Sequence, residues 1–393
     1  MMKNYIKLFA LSLLFTQCAN NKSVECSALD FCAGQVSQSL EALKPYDNTM
    51  VPRNVALDGT SWNLVEVKKE EWCAGFWPGV LWYNYEYTNN ADDLKAAQIY
   101  TEGLYDIAMA PAYDHDLGFL IYCSYGNGYR LTQNEAYKQV VLTSAENLGK
   151  LYNPNVGTIL SWPREVEKFG GHNTIIDNMI NLEMLFWAAE NGGDKTLRDI
   201  AIAHADRTME ALFREDGTSY HVAVFNPVSG EHIRSCTHQG YADDTMWARG
   251  QTWGIYGFTL CYRFTQDVRY LNFAEKLAGV FLDKLPEDMV PFWDFNDPKI
   301  PNTHRDASAA AVAASALLEL STYVTDKGYA ETAEKILNSL DANYRCQNAP
   351  AILAHSTGNL PAGSEIDYSI IYADYYYYEA LLRLKRLKEG KAI

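Results

Sequence analysis

Trp72-Cys73-Ala74-Gly75-Phe76-Trp77-Pro78-Gly79-Val80-Leu81-Trp82-Tyr83-Asn84-Tyr85-Glu86-Tyr87-Thr88 carries a single charged side chain. Its apolar, aromatic and small residues fall on every side of a 3.6-residue period, and a helix apolar on every face is buried on every face. Five more stretches read the same way, at 116–130, 175–190, 249–264, 306–324 and 374–387. Between them run helices of opposite character, charged with one apolar stripe, at 24–45, 92–110, 133–152, 194–215, 267–285 and 328–345. Such helices sit half in solvent. Six buried and six half-solvated helices in strict alternation describe a closed ring of helical hairpins, so the expected fold is an all-α (α/α)6 barrel. The intervals between inner helices are unequal, which predicts one domain over 24–393 with long loops at one rim rather than a solenoid of equal repeats.

Asp116, Asp177, Arg249, Asp306 and Asp374 each stand at or near the start of an otherwise apolar run. An Asp there caps the helix and complements its dipole. Arg249 does not fit that account, because a cation at the positive end of a helix is unfavourable, and it is expected to have an anionic partner. Gathered at one end of a barrel, the five make a pocket floor, with 154–174 and 216–248 as its walls.

The 393 residues hold 49 acidic and 33 basic side chains, a formal charge of −16, with no Lys/Arg cluster. That excludes the electrostatic footprint of nucleic-acid binding and disfavours anionic lipid surfaces. The 9 Trp, 27 Tyr and 15 Phe suit sugar rings, which show apolar C–H patches between their hydroxyls. Asp116 and Asp177, on adjacent inner helices, suit general acid/base work on a glycosidic linkage or an enol ether, and burial should raise both pKa values. Around them fall His221, His238, Gln239, Trp247, Arg249 and Trp253. Arg with Gln holds a carboxylate and Trp stacks on a ring, so the substrate expected is an acidic sugar. Asp114-His115-Asp116 makes a poor metal triad, since adjacent residues on a helix point to different faces. No Cys/His spacing suggests zinc, and neither metal nor cofactor is expected.

WCAGFWPG (72–79), DHDLGF (114–119), SWPRE (161–165), IIDNMINL (175–182), THQGYADDTMWARGQTW (237–253), RDASAAA (305–311) and DYYYYEALLR (374–383) together resemble the unsaturated glucuronyl hydrolases of glycoside hydrolase family eighty-eight. The resemblance implies the same barrel and a substrate left by polysaccharide lyases, a di- or oligosaccharide with a C4=C5 double bond in its non-reducing uronate. It further implies protonation at C4, addition of water at C5, and opening of the hemiketal with release of the next sugar. Asp177 matches the family's general acid/base and Asp116 its partner carboxylate. His221, Gln239, Trp247, Arg249 and Trp253 match substrate-contacting positions, with Trp72 and Trp162 as stacking walls. A Ser-x-x-Ser-x-Lys motif found in members that prefer 6-sulfated chondroitin disaccharides is replaced here by Asn359-Leu360-Pro361-Ala362-Gly363-Ser364. The alternatives are an unsaturated rhamnogalacturonyl hydrolase of the related family one hundred and five, an inverting glycosidase, a sugar epimerase, and a non-catalytic glycan-binding surface lipoprotein.

Met1-Met2-Lys3-Asn4 followed by the mostly apolar run Tyr5 to Phe15 reads as a secretory signal, residues 1–17, too short to span a bilayer as a mature helix. Cys18 behind Leu14-Phe15-Thr16-Gln17 resembles a bacterial lipobox, with a conventionally cleaved signal as the alternative. The expectation is export, as a periplasmic or outer-membrane lipoprotein of Gram-negative type, with 18–23 as a short linker, the lipid on Cys18 as the sole membrane contact, and a monomer. Cys26 and Cys32 are close enough in sequence to pair in an oxidising compartment. The remaining cysteines read as small core residues.

Overall fold

The computed structural model describes residues 24–393; the proposed signal, Cys18 and the linker lie outside the described residues. Helices alternate between two rings. Outer α1 (Val24–Leu43) precedes inner α2 (Phe76–Thr88). Outer α3 (Ala91–Glu102) and the short α4 (Tyr105–Met109) lead to an inner helix in three pieces: α5 (Leu117–Ile121), a π-helical turn (Tyr122–Gly126) and α6 (Asn127–Thr132). Outer α7 (Glu135–Gly149) is followed by the short wall helix α8 (Val166–Phe169) and inner α9 (Asn178–Glu190). Three more hairpins complete the ring: α10 (Thr196–Ala211) with α11 (Ala248–Thr265), α12 (Val268–Leu282) with α13 (Ala307–Leu320), and α14 (Tyr329–Asn343) with α15 (Ile371–Lys388). Inner α15 packs on α2 and closes the (α/α)6 barrel.

The two rings follow from side-chain distribution. All 14 residues of α13, ASAAAVAASALLEL, are buried, and their small side chains let α11 and α15 approach on both sides. On α12 only Tyr270, Ala274, Leu277, Ala278 and Phe281 are buried, a stripe at spacings of three and four. Aromatic residues fill the axis, where Trp72, Phe76, Phe119, Trp253, Tyr375 and Tyr376 meet edge to face or tilted. In the π turn Ser124 Oγ donates to the carbonyl of Leu120 at 2.6 Å, and Asn127 Nδ2 reaches that of Cys123 at 3.0 Å.

The strands are confined to the connections. β1 (Met50–Val55) and β2 (Asn63–Glu66) follow α1; β3 (Tyr152–Asn153) pairs with β4 (Thr158–Ile159) after α7. β5 (His172–Ile175), β6 (Val222–Phe225) and β7 (His232–Cys236) form an antiparallel sheet in that order. β8 (Ser356–Asn359) and β9 (Ser364–Ile370) make a hairpin that joins β1 through Asn54 opposite Ile370. The expected walls at 154–174 and 216–248 are therefore joined by one three-stranded sheet, and a second sheet from 50–66 and 356–370 adds a wall that the helical periodicity did not reveal.

Cys26 and Cys32 are not bridged: both are free, Cys32 in the core and Cys26 half-buried. Six residues apart on α1, they are separated by a rise of about 9 Å and face different sides, beyond the reach of a disulfide. His172, His204, His232 and His355 bond to Thr158, the Ile159 N–H, Ser235 and Asp367 respectively, in line with structural roles.

Candidate active site

Inner helices present their N-terminal ends to one mouth of the barrel, and a cleft of about 830 Å³ opens there. Asp116 and Asp177 both line it, each at the N-cap position of its helix (α5 and α9), and neither side chain makes a capping hydrogen bond. Asp306 does cap α13, accepting from the N–H groups of Ser308 at 3.1 Å and Ala309 at 3.4 Å. The capping account thus holds for Asp306 and fails for the two carboxyls that face the cleft. Asp374 is not part of the floor. Its oxygens take the N–H groups of Ile352 and Leu353, both at 2.9 Å, and burial pushes its carboxyl up to about 7 against those two bonds.

Asp177 is positioned by the β5–β6 pairing. Ile175 lies opposite Val222, and the Ile176 N–H donates to the His221 carbonyl at 3.0 Å, which brings His221 beside the start of α9. Backbone N–H groups of His238 (3.2 Å) and Gln239 (3.1 Å) donate to His221 Nδ1, so the ring proton is on Nε2. That nitrogen lies 3.5 Å from Asp177 Oδ2. Burial alone would raise the Asp177 carboxyl, but the His221 Nε2–H facing it, with the Arg249 guanidinium behind, outweighs burial and holds it below the ordinary carboxylate range. Asp116 goes the other way: burial raises it well above the ordinary range, and Asp114 and Asp177 raise it further. The expectation that both would be raised is therefore corrected. The two carboxyls are thus displaced in opposite directions, and Asp116 is the one of the pair that holds a proton more readily.

Arg249 has the anionic partner its position demands. Nη1 meets Asp306 Oδ2 at 2.5 Å and the Thr357 carbonyl at 2.7 Å, and Nη2 meets the Gly358 carbonyl at 2.6 Å. Gln239 Nε2 donates to the same Gly358 carbonyl at 3.1 Å. The fork expected to grip a substrate carboxylate is thus largely spent on fixing β8 against the cleft.

Trp72, Trp162, His238, Gln239 and Arg249 line the cleft as expected. Trp72 stacks on Tyr372 at 5.2 Å, and Trp162 stacks on Phe169 at 5.7 Å. Burial, with His221 nearby, takes His238 down to about 4, so it is neutral. His221, Trp247 and Trp253 are buried behind the residues that line the cleft. Trp247 lies between the Arg249 guanidinium (4.5 Å) and the His221 ring (4.6 Å), and Trp253 packs on Phe119 and Tyr376 in the axial core. Asp114-His115-Asp116 forms the turn ahead of α5: Asp114 takes Arg164 at 2.7 Å, His115 is buried against Asn181 with its Nε2 3.3 Å from Asp116 Oδ1, and Asp116 faces the cleft. Arg164, Glu165 and Lys168 line the opposite wall; the quoted SWPRE stretch contained the first two without marking their role. A second cavity, of about 1000 Å³, lies toward the C-terminal ends of the inner helices, where Glu183, Arg263, Glu379 and Arg383 belong to one ion network through Glu319.

A helical barrel with two unlike carboxyls at the mouth of a cleft walled by tryptophans defines a glycoside hydrolase. The family model of Glycosyl Hydrolase Family 88 matches residues 49–391, and the chain belongs to that family. It is 42% identical over 331 residues to an unsaturated glucuronyl hydrolase of Formosa agariphila, covering 82% of each chain. An unsaturated chondroitin disaccharide hydrolase of Streptococcus pyogenes is 33% identical over 376 residues, 91% of this chain and 90% of that one. The crystal structure of an unsaturated glucuronyl hydrolase specific for heparin superposes with a TM-score of 0.86 at 39% identity, over 93% of this chain and 98% of the other.

Proposed function

We propose that the protein is an unsaturated glucuronyl hydrolase that releases the 4,5-unsaturated uronate from the non-reducing end of lyase-generated glycosaminoglycan di- and oligosaccharides. The observation that carries this reading is the pair Asp116 and Asp177, lining one cleft with proton affinities displaced in opposite directions, an acid beside a base. Hydration of a vinyl ether needs that inventory. One proton is delivered to C4, water adds its oxygen to C5, and the proton shed by that water returns to the pair, so the count is unchanged after each turnover. Asp177 is the residue we assign to the transfer: it takes the proton from Asp116, passes it to C4, and as the carboxylate accepts the proton shed by the attacking water, which then returns to Asp116, with His221 orienting the Asp177 carboxyl. Asp116 is its proton-bearing partner. The C5 hemiketal then opens and expels the next sugar. Trp72 and Trp162 stack on the sugars, and His238 and Gln239 supply polar contacts.

The signal-like start and Cys18 support export, with a diacylglyceryl thioether as the only membrane attachment; mass spectrometry of the mature N-terminus tests this, and an unmodified residue other than Cys18 there overturns it. The reaction is tested by following the ultraviolet absorbance of the conjugated alkene in sulfated and unsulfated lyase-generated disaccharides. Its loss together with release of the second sugar is expected, and the ranking identifies the aglycone. Persistence of the alkene across the panel with folded protein refutes the reading.

A further inference from the structure

We propose that His115 is a positioning residue that fixes the carboxyl of Asp116 relative to that of Asp177, by tying the helix mouth of one to the helix of the other. The inference rests on the hydration chemistry above, but its evidence is separate. His115 is fully buried between α5 and α9. Its Nδ1 lies 3.1 Å from Asn181 Nδ2, and its Nε2, which makes no well-formed hydrogen bond among the described residues, lies 3.3 Å from Asp116 Oδ1. Asn181 stands one turn into α9, the helix that Asp177 opens. Asn178, in the first turn of that helix, directs its Nδ2 to the Ile159 carbonyl (3.4 Å) and Ser161 Oγ (3.5 Å), leaving its buried Oδ1 without a partner beside the imidazole. The two helices meet closely enough that a Cβ on Gly118 would fall 2.3 Å from Asn181 Oδ1, so glycine is what admits this contact.

The arrangement repeats that of His221, whose Nδ1 is also held by protein donors and whose Nε2 also faces a carboxyl of the pair. Taking Asn181 as the donor to Nδ1 puts the His115 proton on Nε2 facing Asp116 Oδ1 and leaves the proton of Asp116 itself for Oδ2. Burial holds His115 below its ordinary pKa despite Asp114 and Asp177, so the ring is neutral. The other charged groups acting on Asp116 are Asp114 on its own loop, Asp177 on α9, Arg164 on the wall and Arg53 on β1.

Three measurements test this. In His115→Leu the donor to Oδ1 is lost and the neutral acid is favoured further. The alkaline limb of kcat/KM is expected to move up by about half a pH unit or more, with kcat down at least about tenfold and KM within about twofold. His115→Gln, which restores a donor, is expected to return the limb toward that of the parent. A residue that only fills the core would lower the melting temperature and leave the limb in place, and a folded Leu variant whose scaled profile superimposes on the parent's overturns the proposal. The tautomer is read in the unaltered protein from 15N-histidine spectra: His115 protonated on Nε2 is expected, and protonation on Nδ1 overturns it whether or not the variants fold. The parent's own consumption of the alkene in the same assay reports on the reaction and is independent of these outcomes.

Discussion

Removing the carboxylate of Asp306 should destabilise the barrel through two separable contributions. Asp306 and Arg249 are 0% and 1% exposed at their side chains and meet at 2.5 Å. In Asp306→Ala the guanidinium is left between the Trp247 and Tyr372 rings with only the Thr357 and Gly358 carbonyls and the weaker Ser308 contact. Breaking a buried pair from one side costs about 3–5 kcal/mol. The same substitution removes the cap of α13, about 1 kcal/mol more, so the Ala variant should lose about 4–6 kcal/mol. Asp306→Asn keeps a capping oxygen but loses the charge, and should fall about 1 kcal/mol short of the Ala variant. Adding Arg249→Met to the Asn variant removes the stranded cation and should recover much of the loss. Urea unfolding followed by tryptophan fluorescence gives all three values. A loss below about 1.5 kcal/mol in the Ala variant refutes the buried-charge argument, and equal Ala and Asn values refute the cap contribution.

Asp177→Asn should abolish alkene consumption by about a thousandfold or more while calorimetry shows the disaccharide still binding; retained turnover would remove Asp177 from the chemistry. The kcat/KM profile should be a bell. It falls on the alkaline side as Asp116, raised by burial and by Asp114 and Asp177, gives up its proton, and on the acid side only below the usual carboxylate range, where Asp177 gains one. A profile rising through alkaline pH contradicts that assignment. Trp72→Ala should raise KM by about tenfold with little change in kcat, as expected for lost stacking; the reverse pattern would move Trp72 from binding to catalysis. Since Cys26 and Cys32 are free, dithiothreitol should shift the melting temperature by less than about 1 °C, whereas a drop of several degrees would reveal a bridge.

What was legible in the sequence is what one helix decides alone. All-round apolar composition marks α2, α11, α13 and α15 as inner helices, and the misfit of Arg249 with the helix dipole foretold an anionic partner, found in Asp306. What depends on distant partners was not legible. The strands are two to seven residues long, and Asn54 pairs with Ile370 across most of the chain, so no local pattern announces that sheet. Trp247 and Trp253 were expected at the substrate because they surround Arg249 in sequence, yet periodicity gives a helix face without giving depth: Trp253 packs in the axial core, while Trp247 is buried between His221 and Arg249. His115 was passed over because adjacent helix residues diverge. The three residues instead form a turn ahead of α5, where His115 Nε2 comes within 3.3 Å of Asp116 Oδ1, and the partner of its other nitrogen, Asn181, stands on the next inner helix. Asp374 shows the converse, an acid at a helix start whose whole task is to hold two backbone N–H groups.

The π turn at Tyr122–Gly126 divides one inner helix into two segments with different phases. Such a turn holds one residue more than the α ladder allows, and one residue of helix is about 100° of rotation. Below it, Asn127 reaches the Tyr375 hydroxyl at 3.3 Å and locks the lower segment to α15; above it, Asp116 faces the cleft. Deleting one residue between 122 and 126 would restore a regular helix and oblige one segment to turn by more than a quarter circle. The inserted residue is thus a phase adjuster, letting the upper segment aim an acid while the lower one keeps its place in the packing.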